Sequence, residues 1–167
     1  MKMKWVSPAY PKAAVNRAGE VLTAGDADPF ELSHALDVLN NWRAAHALPL
    51  NAIQTNLRLS ARKICKRPLI AQRLKRTPSV VAKLRRFDKM QLARMQDIGG
   101  CRAVLDNAAQ VTRLYHHFLH SRIWIQPSRA IVKHARGEEY LIRTDLFDVS
   151  VNVDYYSYKS PHYGGAT

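Results

Sequence analysis

The sequence predicts an α+β domain: a helical N-terminal region, then a small mixed sheet flanked by helices. Two observations predict it. Apolar residues recur at helical spacing through residues 8–65. From residue 69, short apolar runs alternate with amphipathic stretches in a β-α-β-α-β order. Size and composition are consistent with this. A chain of 167 residues that is 47% hydrophobic can bury a core without staples and does not read as disordered.

The first helix is expected over 8–23. Ser7 can cap it, Pro8 and Pro11 suit a first turn, and Val15, Ala18, Val21 and Leu22 share one face. Gly25-Asp26 breaks the pattern. Asp28-Pro29-Phe30-Glu31 starts a second helix, with Asp28 as N-cap, proline at the first position and Glu31 at the capping-box position. Its core face is Leu32, Ala35, Leu36, Leu39 and Trp42, and Leu48-Pro49 is the expected stop. A third helix over 50–65 carries Ile53, Leu57, Ala61 and Ile64 on one side and Arg58, Arg62 and Lys63 on the other.

Residues 69–75 read as a strand that delivers Arg73 and Lys75 to one face. Thr77-Pro78-Ser79 reads as a capped helix start, and residues 78–87 follow as a helix with Val80, Val81 and Leu84 inward. Residues 89–96 suit a helical turn or two, and 100–105 a second strand. Asp106-Asn107 caps a helix over 108–120 with Val111, Leu114, Tyr115, Phe118 and Leu119 as its apolar face, and 122–125 is an expected third strand. Beyond Gln126 the pattern degrades. Residues 140–156 have strand-like composition with poor turn signals, and 155–167 looks frayed.

The net charge is +13, and it is concentrated. Between Arg58 and Arg102 there are fourteen Lys and Arg against two acids, Asp88 and Asp97. Such a segment favours a polyanionic partner: nucleotide, RNA or DNA. The plain alternative is a solvated basic surface. Cys65 and Cys101 lack CxxC spacing, which fits a reducing cytoplasm and gives no zinc motif. No apolar h-region follows the basic start, and no apolar run is long enough to span a bilayer.

The most informative stretch is residues 71–104. Arg73, Lys75 and Arg76 run into the helix that carries Lys83, Arg85 and Arg86. Asp97, Gly99-Gly100 and Arg102 then follow. One carboxylate among many cations suits magnesium and polyphosphate. The cations neutralise phosphate charge, and the carboxylate holds the metal that bridges phosphate oxygens. Read as plain structure, Asp97 is a turn acid beside glycine.

This stretch resembles the synthetase domain of RelA/SpoT-type alarmone enzymes, and more narrowly the stand-alone RelA/SpoT-domain proteins of bacteria and phages. Trp5-Val6-Ser7-Pro8, Val15-Asn16-Arg17-Ala18-Gly19, Leu39-Asn40-Asn41-Trp42-Arg43, His46 and Pro49-Leu50-Asn51 add to the likeness, which spans about residues 4–122. It implies a nucleotidyltransferase-like fold divided as 1–66, an N-terminal helical region; 67–125, the ATP side of the synthetase core; and 126–167, a divergent or incomplete C-terminal part. It implies that Arg73, Lys75, Ser79 and Lys83, at the positions of an R-x-K-x-x-x-S-x-x-x-K pattern, hold ATP phosphates. Asp97 would be the catalytic magnesium ligand, and Arg102 would contact ATP.

The implied reaction moves the β,γ-pyrophosphate of ATP to the 3′-hydroxyl of GDP or GTP, making (p)ppGpp, the signal of the stringent response. Some relatives instead modify the 3′ end of tRNA as toxins, which would bring an antitoxin partner. The family's hydrolase metal pair is absent from the sequence.

Two family elements are not met cleanly. One is an acceptor loop of the type D-Y-I-x-x-P-K-x-x-G-Y-R-x-x-H; residues 154–164 have its residue types in another order. The other is an E-x-Q-x-R-T strand, approached only by Glu139-Tyr140-Leu141-Ile142-Arg143-Thr144, with Glu139 as a weak second acid. The sequence therefore also suits a truncated, frame-shifted or inactive relative, and a non-catalytic nucleic-acid- or ribosome-binding module on the same basic face. Other residues invite the plainer reading. His116, His117 and His120 are expected at a surface or core edge rather than on a metal, and Trp5, Trp42 and Trp124 in the core. Arg43 and His46 suit either a nucleotide or an exposed helix face, and Cys101 is expected to pack rather than to attack.

Overall fold

The computed structural model describes residues 5–119 and 147–153. Five helices, a 3-10 turn and three strands follow in the order α1 (Lys12–Thr23), α2 (Pro29–Ala45), α3 (Ala47–Arg62), β1 (Leu69–Leu74), α4 (Thr77–Arg86), the turn Leu92–Arg94, β2 (Gly99–Leu105), α5 (Ala108–Leu119) and β3 (Phe147–Val153). The α+β class is as expected. The sheet has the order β1-β2-β3 and, among the described residues, is antiparallel throughout rather than mixed.

Local chemistry explains most boundaries. The Asp28 carboxylate accepts from the backbone N–H groups of Phe30 (2.9 Å) and Glu31 (3.2 Å), the two-bond cap that starts α2. At α5, Asn107 Oδ1 accepts from the Gln110 N–H while Gln110 Oε1 accepts from the Asp106 N–H, both at 3.0 Å. This reciprocal pair closes the helix entry.

Elsewhere the expected ends move. Pro8 lies outside α1, whose N-cap is the extended Pro11. α2 does not run to Leu48-Pro49. It stops at Ala45, His46 serves as both its C-cap and the N-cap of α3, and Pro49 sits buried in the first turn of α3. A proline there sacrifices an N–H that has no helical acceptor anyway, so it starts a helix as readily as it ends one. α3 ends at Arg62, three residues early. The cap of α4 is the backbone of extended Arg76, with no side-chain bond, while Thr77 is its first residue. Residues 89–96 yield only the short 3-10 turn. The strand expected at 122–125 lies outside the described residues. The observed third strand falls instead within the stretch of strand-like composition.

Two apolar clusters hold these elements. In one, Leu50, Ile53, Leu57, Ala61 and Cys65 meet Cys101, Ala103 and Leu105 of β2 and Val111 and Leu114 of α5. In the other, Val15, Ala18 and Leu22 of α1 and Ala35, Val38, Leu39 and Trp42 of α2 meet Val80 and Leu84 of α4, with Leu92, Met95 and Ile98. Each cluster joins helices before residue 66 to elements after it. Full burial of side chains such as Leu39, Leu57 and Leu92 contributes roughly 1.5–3 kcal/mol each.

Strand alternation sorts the sheet. Cys101, Ala103 and Leu105 are buried, and Ile70 and Leu74 pack beside them, whereas Ala71, Arg73 and Arg102 are exposed. One face therefore lies on α3 and α5 and the other bears the arginines.

Candidate phosphate and metal site

The site forms where β1 ends and β2 begins. Antiparallel pairing sets Leu74 opposite Gly99, and one further backbone bond, from the Lys75 N–H to the Ile98 carbonyl (2.7 Å), extends it. This brings Lys75 beside Asp97, although twenty-two residues separate them. Lys75 Nζ donates to Asp97 Oδ2 at 3.0 Å, and Lys83 Nζ, from α4, donates to Asp97 Oδ1 at 2.6 Å. Each carboxylate oxygen thus carries one ammonium. Side-chain exposures of 14%, 27% and 25% for Lys75, Lys83 and Asp97 make this a half-sheltered cluster, less screened than a surface pair. Burial alone would push the Asp97 carboxyl up. The hydrogen bonds and charges of Lys83 and Lys75 outweigh that and hold it below its ordinary value.

The other sequence-predicted residues lie on the same elements. Ser79 lies one helical turn before Lys83 on α4, so the two share a face. Arg73 pairs with Gly100 and Arg102 with Ala71, which makes the two arginines diagonal neighbours on the exposed face. Glu139 and the loop sought at 154–164 lie outside the described residues.

Three features were not foreseen. Arg43, half-buried on α2, donates through Nε to the Lys75 carbonyl (2.8 Å) and through Nη1 to Thr77 Oγ1 (3.2 Å) and Asn40 Oδ1 (3.2 Å). It braces the turn that carries Lys75, so a structural job accounts for a residue expected to face a nucleotide or solvent. His46 is not on an exposed face: it is 1% exposed, and its Nδ1 bonds the Trp42 carbonyl at 2.7 Å. The third is a matter of register. Val104 pairs with Asp148 and Arg102 with Ser150, so Asp148 has the same strand parity as the partner of Arg102. The period-two run Phe147-Asp148-Val149-Ser150-Val151-Asn152-Val153 was the signal for this.

Of the other residues singled out in the sequence, Trp5 is only half-buried rather than in the core, and His120 and Trp124 lie outside the described residues. Trp42 is buried. His117 Nε2 bonds Ser60 Oγ at 3.0 Å and the His116 ring stands edge-on to Tyr115. Cys101 is buried, with its thiol pushed up to about 12 by burial, which is wrong for a nucleophile.

Among the described residues no three His, Cys, Asp or Glu side chains converge as a metal cage. Asp97 alone still fits magnesium, which keeps most of its waters and takes one or two carboxylates plus substrate phosphates. It does not fit a resident ion held by protein alone. Also among the described residues, no helix is long and apolar enough to cross a membrane.

Comparison with known proteins adds no family to this geometry: no family model matches the chain, and no curated protein matches it.

Proposed function

We propose that this chain is an ATP-dependent pyrophosphotransferase on a nucleotidyltransferase-like scaffold, acting on the 3′-hydroxyl of GDP or GTP in the manner of RelA/SpoT-type synthetases. The observation that carries the reading is the convergence of Lys75, Lys83 and Asp97 at one end of the sheet, beside the arginine-bearing face. Three of the residues that suggested the family, Lys75, Lys83 and Asp97, are thus in direct contact.

In this reading Arg73, Lys75, Ser79 and Lys83 bind the ATP phosphates, and Arg102 contacts the same nucleotide. Charge-assisted bonds from several cations fix the chain of phosphates and offset its charge. Bound through Asp97, magnesium would supply charge neutralisation across the phosphate oxygens. The acceptor 3′-oxygen attacks the β-phosphorus of ATP. The bond from that phosphorus to the α,β-bridging oxygen breaks, AMP leaves, and the hydroxyl proton passes to a base.

The test uses ATP labelled at the γ-phosphate, magnesium, and GDP, GTP or bulk tRNA. Label should pass to the guanosine nucleotide, and Asp97→Ala should lower the rate by about three orders of magnitude, as for sites whose parts act together. Label on tRNA would instead make the chain a tRNA-modifying toxin. No transfer to any acceptor, with ATP binding that still needs Arg73 and Lys75, would leave a donor site that has lost its acceptor half.

A further inference from the structure

We propose that Lys75 and Lys83 latch Asp97 until a polyphosphate arrives, so that a divalent cation enters this site only together with the nucleotide. The inference rests on the reading of the cluster as a nucleotide-phosphate site, and adds to it an order of assembly. Both oxygens of Asp97 are occupied by ammonium groups, at 3.0 and 2.6 Å, and the two lysines come from different elements, the end of β1 and the middle of α4. The local charge is two cations against one anion, before the neighbouring Arg73 and Arg76 are counted. A bare divalent cation would meet a net positive site and a carboxylate each of whose oxygens already carries an ammonium, and among the described residues no group of three acidic or other ligating side chains forms there to compensate.

A polyphosphate reverses both obstacles. Its oxygens offer each lysine a stronger partner than one shared carboxylate. A lysine on its flexible four-carbon stem can swing to the new partner without moving the backbone. Each lysine that turns to phosphate releases one Asp97 oxygen, and the phosphates supply the remaining oxygen ligands that magnesium prefers. Positive and negative groups exchange partners, and no unpaired charge is left at any stage. The latch also keeps the cation-rich end of the sheet ordered when no nucleotide is present, because Asp97 ties α4 to the start of β2.

The experiment titrates Mn2+ into the full chain without nucleotide, following free Mn2+ by electron paramagnetic resonance. The expected result is weak binding to wild type and at least tenfold tighter binding to Lys83→Met, with the gain abolished in Lys83→Met/Asp97→Asn. Lys75→Met, with melting curves for each protein, serves as a second opened latch should Lys83→Met fold poorly. Wild type taking up Mn2+ as tightly as the opened variants would overturn the latch. A separate arm measures α,β-methylene-ATP binding to wild type by calorimetry, with and without Mg2+. Failure of the analogue to bind at all would sink the nucleotide reading of the site, while the Mn2+ comparison would still decide the latch by itself.

Discussion

In the proposed reaction most of the chemistry turns on Asp97, and its acidity gives a test that needs no substrate. Its folded carboxyl binds a proton less readily than the unfolded one, because Lys83 and Lys75 favour the charged form more than burial disfavours it. Below about pH 4 the unfolded chain therefore binds the extra proton. Stability from this group is present above that range and lost as pH falls through the depressed folded value. Melting temperatures between pH 3 and 6 should fall more steeply for wild type than for Asp97→Asn. Equal slopes would mean that the lysines do not hold the carboxylate in solution. Cys101 offers a second residue-scale check. Its thiol, 3% exposed and pushed up to about 12, should resist alkylation at pH 8 in the native protein and react once the chain is unfolded. Rapid native labelling would contradict the packing of β2 on α3.

Between elements, the seam of α1 against α4 and the 3-10 turn depends on a missing side chain. A Cβ on Gly19 would stand 3.0 Å from Leu92 Cβ and 3.4 Å from Leu84 Cδ1. Gly19→Val should therefore cost about 1–3 kcal/mol through overpacking, a fall of several degrees in Tm. Gly25→Val, with nothing within 4 Å, should stay within about 0.5 kcal/mol. Comparable losses at both positions would show that helix and turn propensity, rather than the seam, sets the cost.

The element scale is also where sequence reading succeeded and failed for identifiable reasons. Helices with a strong apolar period and a side-chain cap, such as α2 with Asp28, were legible at their starts because the capping bonds are local. Ends set by packing were not: Pro49 looks like a stop in sequence and is a buried first-turn residue in the fold. Lys75, Lys83 and Asp97 stood out through their likeness to a family pattern, but their pairing depends on the β1-β2 register, which is long-range. Arg43 was ambiguous because its acceptor is a backbone carbonyl thirty-two residues away, and a carbonyl has no sequence signature.

For the molecule as a whole, the question is whether a charge of +13 serves a small nucleotide or a long polyanion, since both would be drawn to it. Salt dependence separates them. Binding to single-stranded RNA through many phosphates should weaken with a log–log slope of about −0.7 per phosphate contacted. If the basic segment acts as a broad backbone-binding face, removing Lys75 and Lys83 together should change that slope by no more than about 1.4, leaving most of the affinity intact. Their effect on ATP should be much larger. Each lysine lost from a phosphate contact removes a charge-assisted bond of roughly 1.5–3 kcal/mol, so Lys75→Met should weaken ATP binding about 10- to 150-fold. A nucleotide enzyme thus predicts a large loss for ATP and a small one for RNA in the same variant. Little change for ATP, beside RNA affinity in the nanomolar range at physiological salt, would instead make the chain a nucleic-acid-binding module. Its Lys75–Asp97–Lys83 cluster would then be a structural ion pair holding α4 to the sheet.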